Sequence, residues 1–95
     1  MAETIGKITN VKVASFLPGS VNSFDVGAIT LKETSTGTSW LFYVWNTRDD
    51  APALQRVLNS QRLALVRDAA FRSLVVHAFH DNDSQVLTEI TVDIP

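Results

Sequence analysis

The sequence predicts a single, mainly β domain with one long helix, in the order β-β-β-α-β-β. Three observations carry this reading. Five runs rich in β-branched and aromatic residues are separated by turn-forming stretches. One segment of helical period, Ala53–Arg72, stands between the third and fourth runs. Ninety-five residues make a single domain, long enough for its own core. A helix between strands three and four of five is the order of the OB barrel, an architecture that binds oligonucleotides and oligosaccharides. The order alone names no ligand.

The first run, Ile5–Phe16, sets Val11 and Val13 on one face and Asn10 and Lys12 on the other, and ends at the turn Leu17-Pro18-Gly19-Ser20. The second, Phe24–Glu33, places Ile29 and Leu31 opposite Ala28, Thr30 and Lys32. The polar, glycine-containing stretch Thr34–Thr38 reads as a hairpin loop into the third run, Ser39–Asn46. Strict alternation along that aromatic run puts Leu41, Tyr43 and Trp45 on one face and Trp40, Phe42 and Val44 on the other. Both faces are apolar, so one should meet the core and the other a helix or a second subunit. In the last two runs, Leu74–His80 and Val86–Ile94, the residues Val86, Thr88, Ile90, Val92 and Ile94 should face one way. The turn between the runs is Asp81-Asn82-Asp83-Ser84.

The helix is signalled at both ends. Asp49 and Asp50 can cap its free N–H groups, and Pro52 falls in the first turn, where a missing donor costs little. Arg67 and Arg72 suit the negative end of the dipole. Leu54, Val57, Leu58, Leu65 and Ala69 form the expected buried stripe, and Leu63, Val66, Ala70 and Phe71 widen it. At about 1.5 Å per residue the segment is roughly 30 Å long, more than one small barrel needs to close its end. A helix so long and so widely apolar implies self-association, with Trp40, Phe42, Leu63, Val66 and Ala70 as the expected interface residues.

Composition narrows the function. The chain is 45% hydrophobic and 19% charged, as a globular protein should be, and carries a net charge of -2 with a pI near 5.5. That charge weighs against a general nucleic-acid binder, which needs a basic excess for phosphate. Without cysteine there is neither a disulfide nor a thiolate metal site. The longest apolar run, Trp40–Trp45, is six residues against the roughly 20 of a membrane span. Met1-Ala2-Glu3-Thr4 has no signal-peptide character; a native Met1 implies a cytoplasmic protein and an added one a mature secreted form.

The run from Ala53 to Val76, Ala-Leu-Gln-Arg-Val-Leu-Asn-Ser-Gln-Arg-Leu-Ala-Leu-Val-Arg-Asp-Ala-Ala-Phe-Arg-Ser-Leu-Val-Val, resembles the helix and following strand of the cholera-toxin-like pentameric B subunits. Gly27-Ala28-Ile29-Thr30-Leu31-Lys32 is similar to that family's second strand. The likeness is one of residue types over about two-thirds of the chain. It implies a ring of five OB barrels whose helices line a channel, whose edge strands pair, and whose one face binds host glycans. By position the sugar-side residues would be Asn46, Arg48 and Asp49 before the helix and His80 and Asn82 after the fourth strand. His77, with Phe79 two residues on, stands where that family stacks a sugar on Trp. The family's disulfide and signal peptide have no counterpart here.

Other chemistries are weakly signalled. His77 and His80 lie three apart on a strand and so point to opposite faces, which argues against a shared metal. Asp81–Ser84 lacks the glycine and distal Glu of a calcium loop. No nucleophile elbow or glycine-rich phosphate loop is present, so no catalytic residue, cofactor or metal is assigned. Arg56, Arg62, Arg67 and Arg72, spaced six, five and five apart, spiral around the helix, where solvation or salt bridges between subunits suit them better than a phosphate stripe. The expectation is a non-enzymatic, ring-forming binding module for a glycan or other surface ligand. The alternatives are an OB protein for single-stranded nucleic acid, with the aromatic strand as stacking platform, or a scaffold without a small ligand.

Overall fold

In the computed structural model, residues 2–16, 24–48 and 53–94 are described. The turn expected at Leu17–Ser20 and the capping residues Asp49, Asp50 and Pro52 lie outside them. The elements are β1 (Ala2–Phe16), β2 (Phe24–Glu33), β3 (Ser39–Arg48), α1 (Ala53–Phe71), β4 (Val75–His80) and β5 (Leu87–Val92), in the expected order. The five strands form one antiparallel sheet, ordered β3-β2-β1-β4-β5.

The expected closed barrel is not what this sheet forms. Its edges, β3 and β5, meet at one isolated parallel bridge, where the Tyr43 N–H donates to the Gln85 carbonyl at 2.8 Å. Beyond it a crevice of about 170 Å³ separates the edges, lined by Val44 of β3, Arg62 and Leu65 of α1, and Leu87 and Ile90 of β5. Helix side chains stand where further rungs of a ladder would have to form. The molecule is a mainly β protein with one helix and a curled, open five-stranded sheet.

Three β-bulges set which side chains point inward. In β1, Ile8 pairs with Leu31 and Asn10 with Thr30, leaving Thr9 as the extra residue. Thr4, Gly6 and Ile8 are buried before it; after it the inward positions are Val11 and Val13. In β3, Tyr43 pairs with Ala28 and Trp45 with Gly27, so Val44 is extra, and Val44 and Trp45 are both buried. In β5, His80 pairs with Leu87 and Phe79 with Glu89, so Thr88 is extra. Leu87 is buried, and Ile90 and Val92 pack against the core. An inserted residue bends its strand and shifts the inward parity by one. The Thr9 and Thr88 hydroxyls donate to the Thr30 and Phe79 carbonyls at 3.4 and 3.1 Å, across the interruptions in the ladder.

Two expectations are corrected by these bulges. Trp45 leaves the face of Leu41 and Tyr43 and enters the core, where its ring lies over Gly27. The inward set of the last strand is Leu87, Ile90 and Val92, while Val86 is exposed.

The helix turns a different face inward from the one expected. Asn59, Val66 and Ala69 are buried, and Leu63 and Ala70 half-buried, at helical spacing. The Gln55 side-chain amide donates to Asn59 Oδ1 at 3.0 Å, which helps the stripe to carry a buried amide. Leu54, Val57, Leu58 and Leu65 lie on the outer side, 71%, 52%, 38% and 42% exposed. Of the residues expected at an interface, four turn to the protomer's own core and Trp40 does not. Phe42 and Val66 belong to the protomer's own core, and Leu63 and Ala70 pack against it. Trp40 is exposed, with its indole N–H donating to Glu33 Oε1 at 3.3 Å.

The helix ends in a Schellman motif. Leu74 N–H donates to the Ala69 carbonyl at 3.0 Å and Ser73 N–H to that of Ala70 at 3.2 Å, with Ser73 at φ 53°. Half-buried Leu74 supplies the apolar contact this cap favours, and Val75 begins the next strand.

Candidate functional site

A groove of about 490 Å³ runs between β1 and the C-terminal half of α1. It follows from the Thr9 bulge. Without that extra residue Val11 and Val13 would lie on the outer face of the sheet; with it they turn toward the helix. Ile8, Val11 and Val13 form one wall, and Leu63, Ala70 and Phe71 the other. The helix ends at Phe71, so that ring has no further turn to pack on and is 85% exposed. Val13, at 59%, faces it from the strand.

The polar lining is sparse and of one character. Thr9 and Asn10 come from β1 and Arg67 from α1, and among the described residues no carboxylate lines the groove. Arg67 is exposed and makes no hydrogen bond or ion pair with another described residue. An apolar trough with one guanidinium that has no partner among the described residues can hold an apolar body and orient a polar group. The sequence offers Arg67 as a dipole cation or a solvated or salt-bridging residue and puts Val11 and Val13 on one face of β1, but no residue type announces the bulge that turns that face to the helix.

The expected ligand residues are not gathered in this groove or in any single place. Asn46 and Arg48 lie at the end of β3, paired in the ladder with Val26 and Phe24. Because β3 and β5 run parallel at Tyr43 and Val86, they lead away from that bridge in one direction. Asn82, in the turn before β5, lies the other way and is exposed. Asp49 is outside the described residues.

His77 and His80 occupy opposite faces of β4, as their spacing requires. His80 points to the inner side. Its ring lies 4.8 Å from that of Phe42, its Nδ1 donates to the Asp81 carbonyl at 2.9 Å, and its Nε2 then accepts the buried Thr4 hydroxyl at 3.2 Å. His77 lies on the outer face between two carboxylates, with Nδ1 2.8 Å from Glu3 Oε2 and Nε2 2.9 Å from Asp93 Oδ2. Both nitrogens can donate only in the imidazolium form. The hydrogen bond to Asp93, then that to Glu3, raises the His77 pKa above its ordinary 6.5. The clamp ties the start of β1 to the end of β5 across β4. Among the described residues no group of three or more acidic or imidazole side chains gathers as a metal site, and no helix is long and apolar enough to cross a membrane. Comparison with protein-family models, with curated proteins and with solved structures finds no match.

Proposed function

We propose that the chain is a non-enzymatic, self-assembling binding module whose copies meet through the outer face of α1. The observation that carries this is the row Leu54, Leu58, Gln61, Leu65. Its four-three-four spacing is that of a seam against a neighbouring helix, and its three leucines are 71%, 38% and 42% exposed in one chain. A second copy of the same helix offers the same apolar row, so self-association shelters both at once. A ring of five is the assembly that the toxin B-subunit likeness implies. The strand order, with the β3 and β5 edges in parallel contact at Tyr43, supports an OB-type reading of the fold.

The ligand under this reading is a glycan or another surface group bound multivalently, weak single sites gaining strength from repetition. Trp40 supports it as the aromatic platform. Its indole is 46% exposed beside the Glu33 carboxylate, an acceptor for hydroxyl groups that also receives the Thr36 hydroxyl at 2.7 Å. A glycan array run beside a salt-titrated oligonucleotide assay tests the assignment. Glycan binding that Trp40→Ala abolishes is expected. Oligonucleotide binding that falls steeply with salt would replace this reading with the nucleic-acid one; silence in both assays would leave a scaffold.

A further inference from the structure

We infer that the groove between β1 and α1 is a binding site for a small amphipathic anion, an aliphatic or aromatic carboxylate with its apolar body between Val11, Val13, Leu63 and Phe71. Three observations converge on that class of ligand. The groove, at about 490 Å³, lies within the roughly 300–1,000 Å³ of small-molecule sites and is walled mostly by aliphatic and aromatic side chains. Among the described residues its charge is one-sided: Arg67 lines it and no acid does, and the guanidinium has no partner there. A planar fork of donors beside an apolar trough matches a carboxylate on an apolar chain, since the fork can take both oxygens together.

The third observation is how the trough is made. The extra residue at Thr9 moves Val11 and Val13 to the inner side, and bulges are a recurrent means of re-aiming side chains beside binding sites. The site is independent of the outer helix row, since Leu54, Leu58 and Leu65 do not line it.

The test uses the full chain with octanoate and octan-1-ol as probes, by isothermal titration calorimetry with amide NMR shifts to place the ligand. Octanoate is expected to bind saturably at one site per chain, about tenfold tighter than the alcohol, with shifts at Val11, Val13 and Phe71. Arg67→Gln, an exposed position, should lose that tenfold preference while leaving the alcohol's affinity unchanged. Val13→Asp should weaken octanoate at least tenfold with the circular dichroism spectrum retained. A double Leu58→Asp, Leu65→Asp variant should bind octanoate as the wild type does, whatever its oligomeric state. Equal affinity for the two probes, an indifferent Arg67→Gln, or no binding would overturn the assignment. Binding seen only in the double variant would place a second copy in the groove instead and equally overturn it.

Discussion

Replacing Gly27 by alanine examines the β3 bulge directly. A Cβ built on Gly27 comes 2.4, 2.5 and 2.6 Å from Trp45 Cζ3, Cη2 and Cε3. Carbon atoms in contact prefer about 3.5–4.0 Å, so the indole has to retreat by roughly 1 Å. It has little room, because Trp45 is only 7% exposed and belongs to the same buried cluster as Phe42 and Val44. Overpacking of this kind costs about 1–3 kcal/mol, while removing glycine's unfolded-state freedom returns about 0.4–1 kcal/mol. The expected net loss is about 1–2 kcal/mol. With the ring shortened by Trp45→Leu the added methyl meets open space, and Gly27→Ala should cost about nothing. A double-mutant cycle by urea denaturation, followed by far-ultraviolet circular dichroism at fixed chain concentration, should therefore give a coupling of about 1–2 kcal/mol. Additivity within about 0.5 kcal/mol, or a Gly27→Ala protein as stable as the parent, would refute the placement of Trp45 on the inner face.

Three further outcomes follow from the same geometry. Val66 is 1% exposed, so Val66→Ala should cost about 2–3 kcal/mol in denaturant unfolding, from two lost methyl groups plus the cavity they leave; a loss under about 0.5 kcal/mol would move that face of α1 out of the core. Ser73 holds a left-handed φ of 53°, so Ser73→Gly should raise stability by about 0.5–1 kcal/mol, and a loss would argue against the Schellman cap. The His77 pKa is raised in the folded state, so the clamp's contribution is complete below about pH 6.5, the unfolded value, and is lost as pH rises through the folded one. The stability difference between wild type and His77→Gln should shrink with rising pH across that window; a difference that grows would contradict the clamp.

Much of the fold is legible in the residues. Strand-forming runs, the Thr34–Thr38 hairpin and the helical period each announce an element, and the alternation of a strand puts His77 and His80 on opposite faces. What escapes is the handedness of each face after a bulge. Thr9, Val44 and Thr88 are ordinary strand residues, and nothing in their type shows that one of them will go unpaired. A period-two reading therefore stays in step only up to the bulge, which is why strict alternation puts Trp45 on the wrong face and does not show that Val11 and Val13 turn to the helix. The helix poses a second difficulty. Its periodicity shows that an apolar stripe exists, and it does not say whether the protomer or another copy covers it. Leu54, Val57, Leu58 and Leu65 make the more apolar row and face outward, whereas the inward row includes Asn59, a polar residue that no apolar stripe would nominate. The groove between β1 and α1 is least legible, because it depends on one bulge and on where the helix stops.

The measurement that tests the central claim most directly is the native mass of the wild type beside the Leu58→Asp, Leu65→Asp variant, by light scattering at micromolar concentration. Sheltering of the outer helix row by other copies predicts a wild-type mass of about five times the 10.4 kDa chain and a folded variant of monomer mass. A wild type that runs as a folded 10.4 kDa monomer, or a variant that keeps the full assembly, would contradict it.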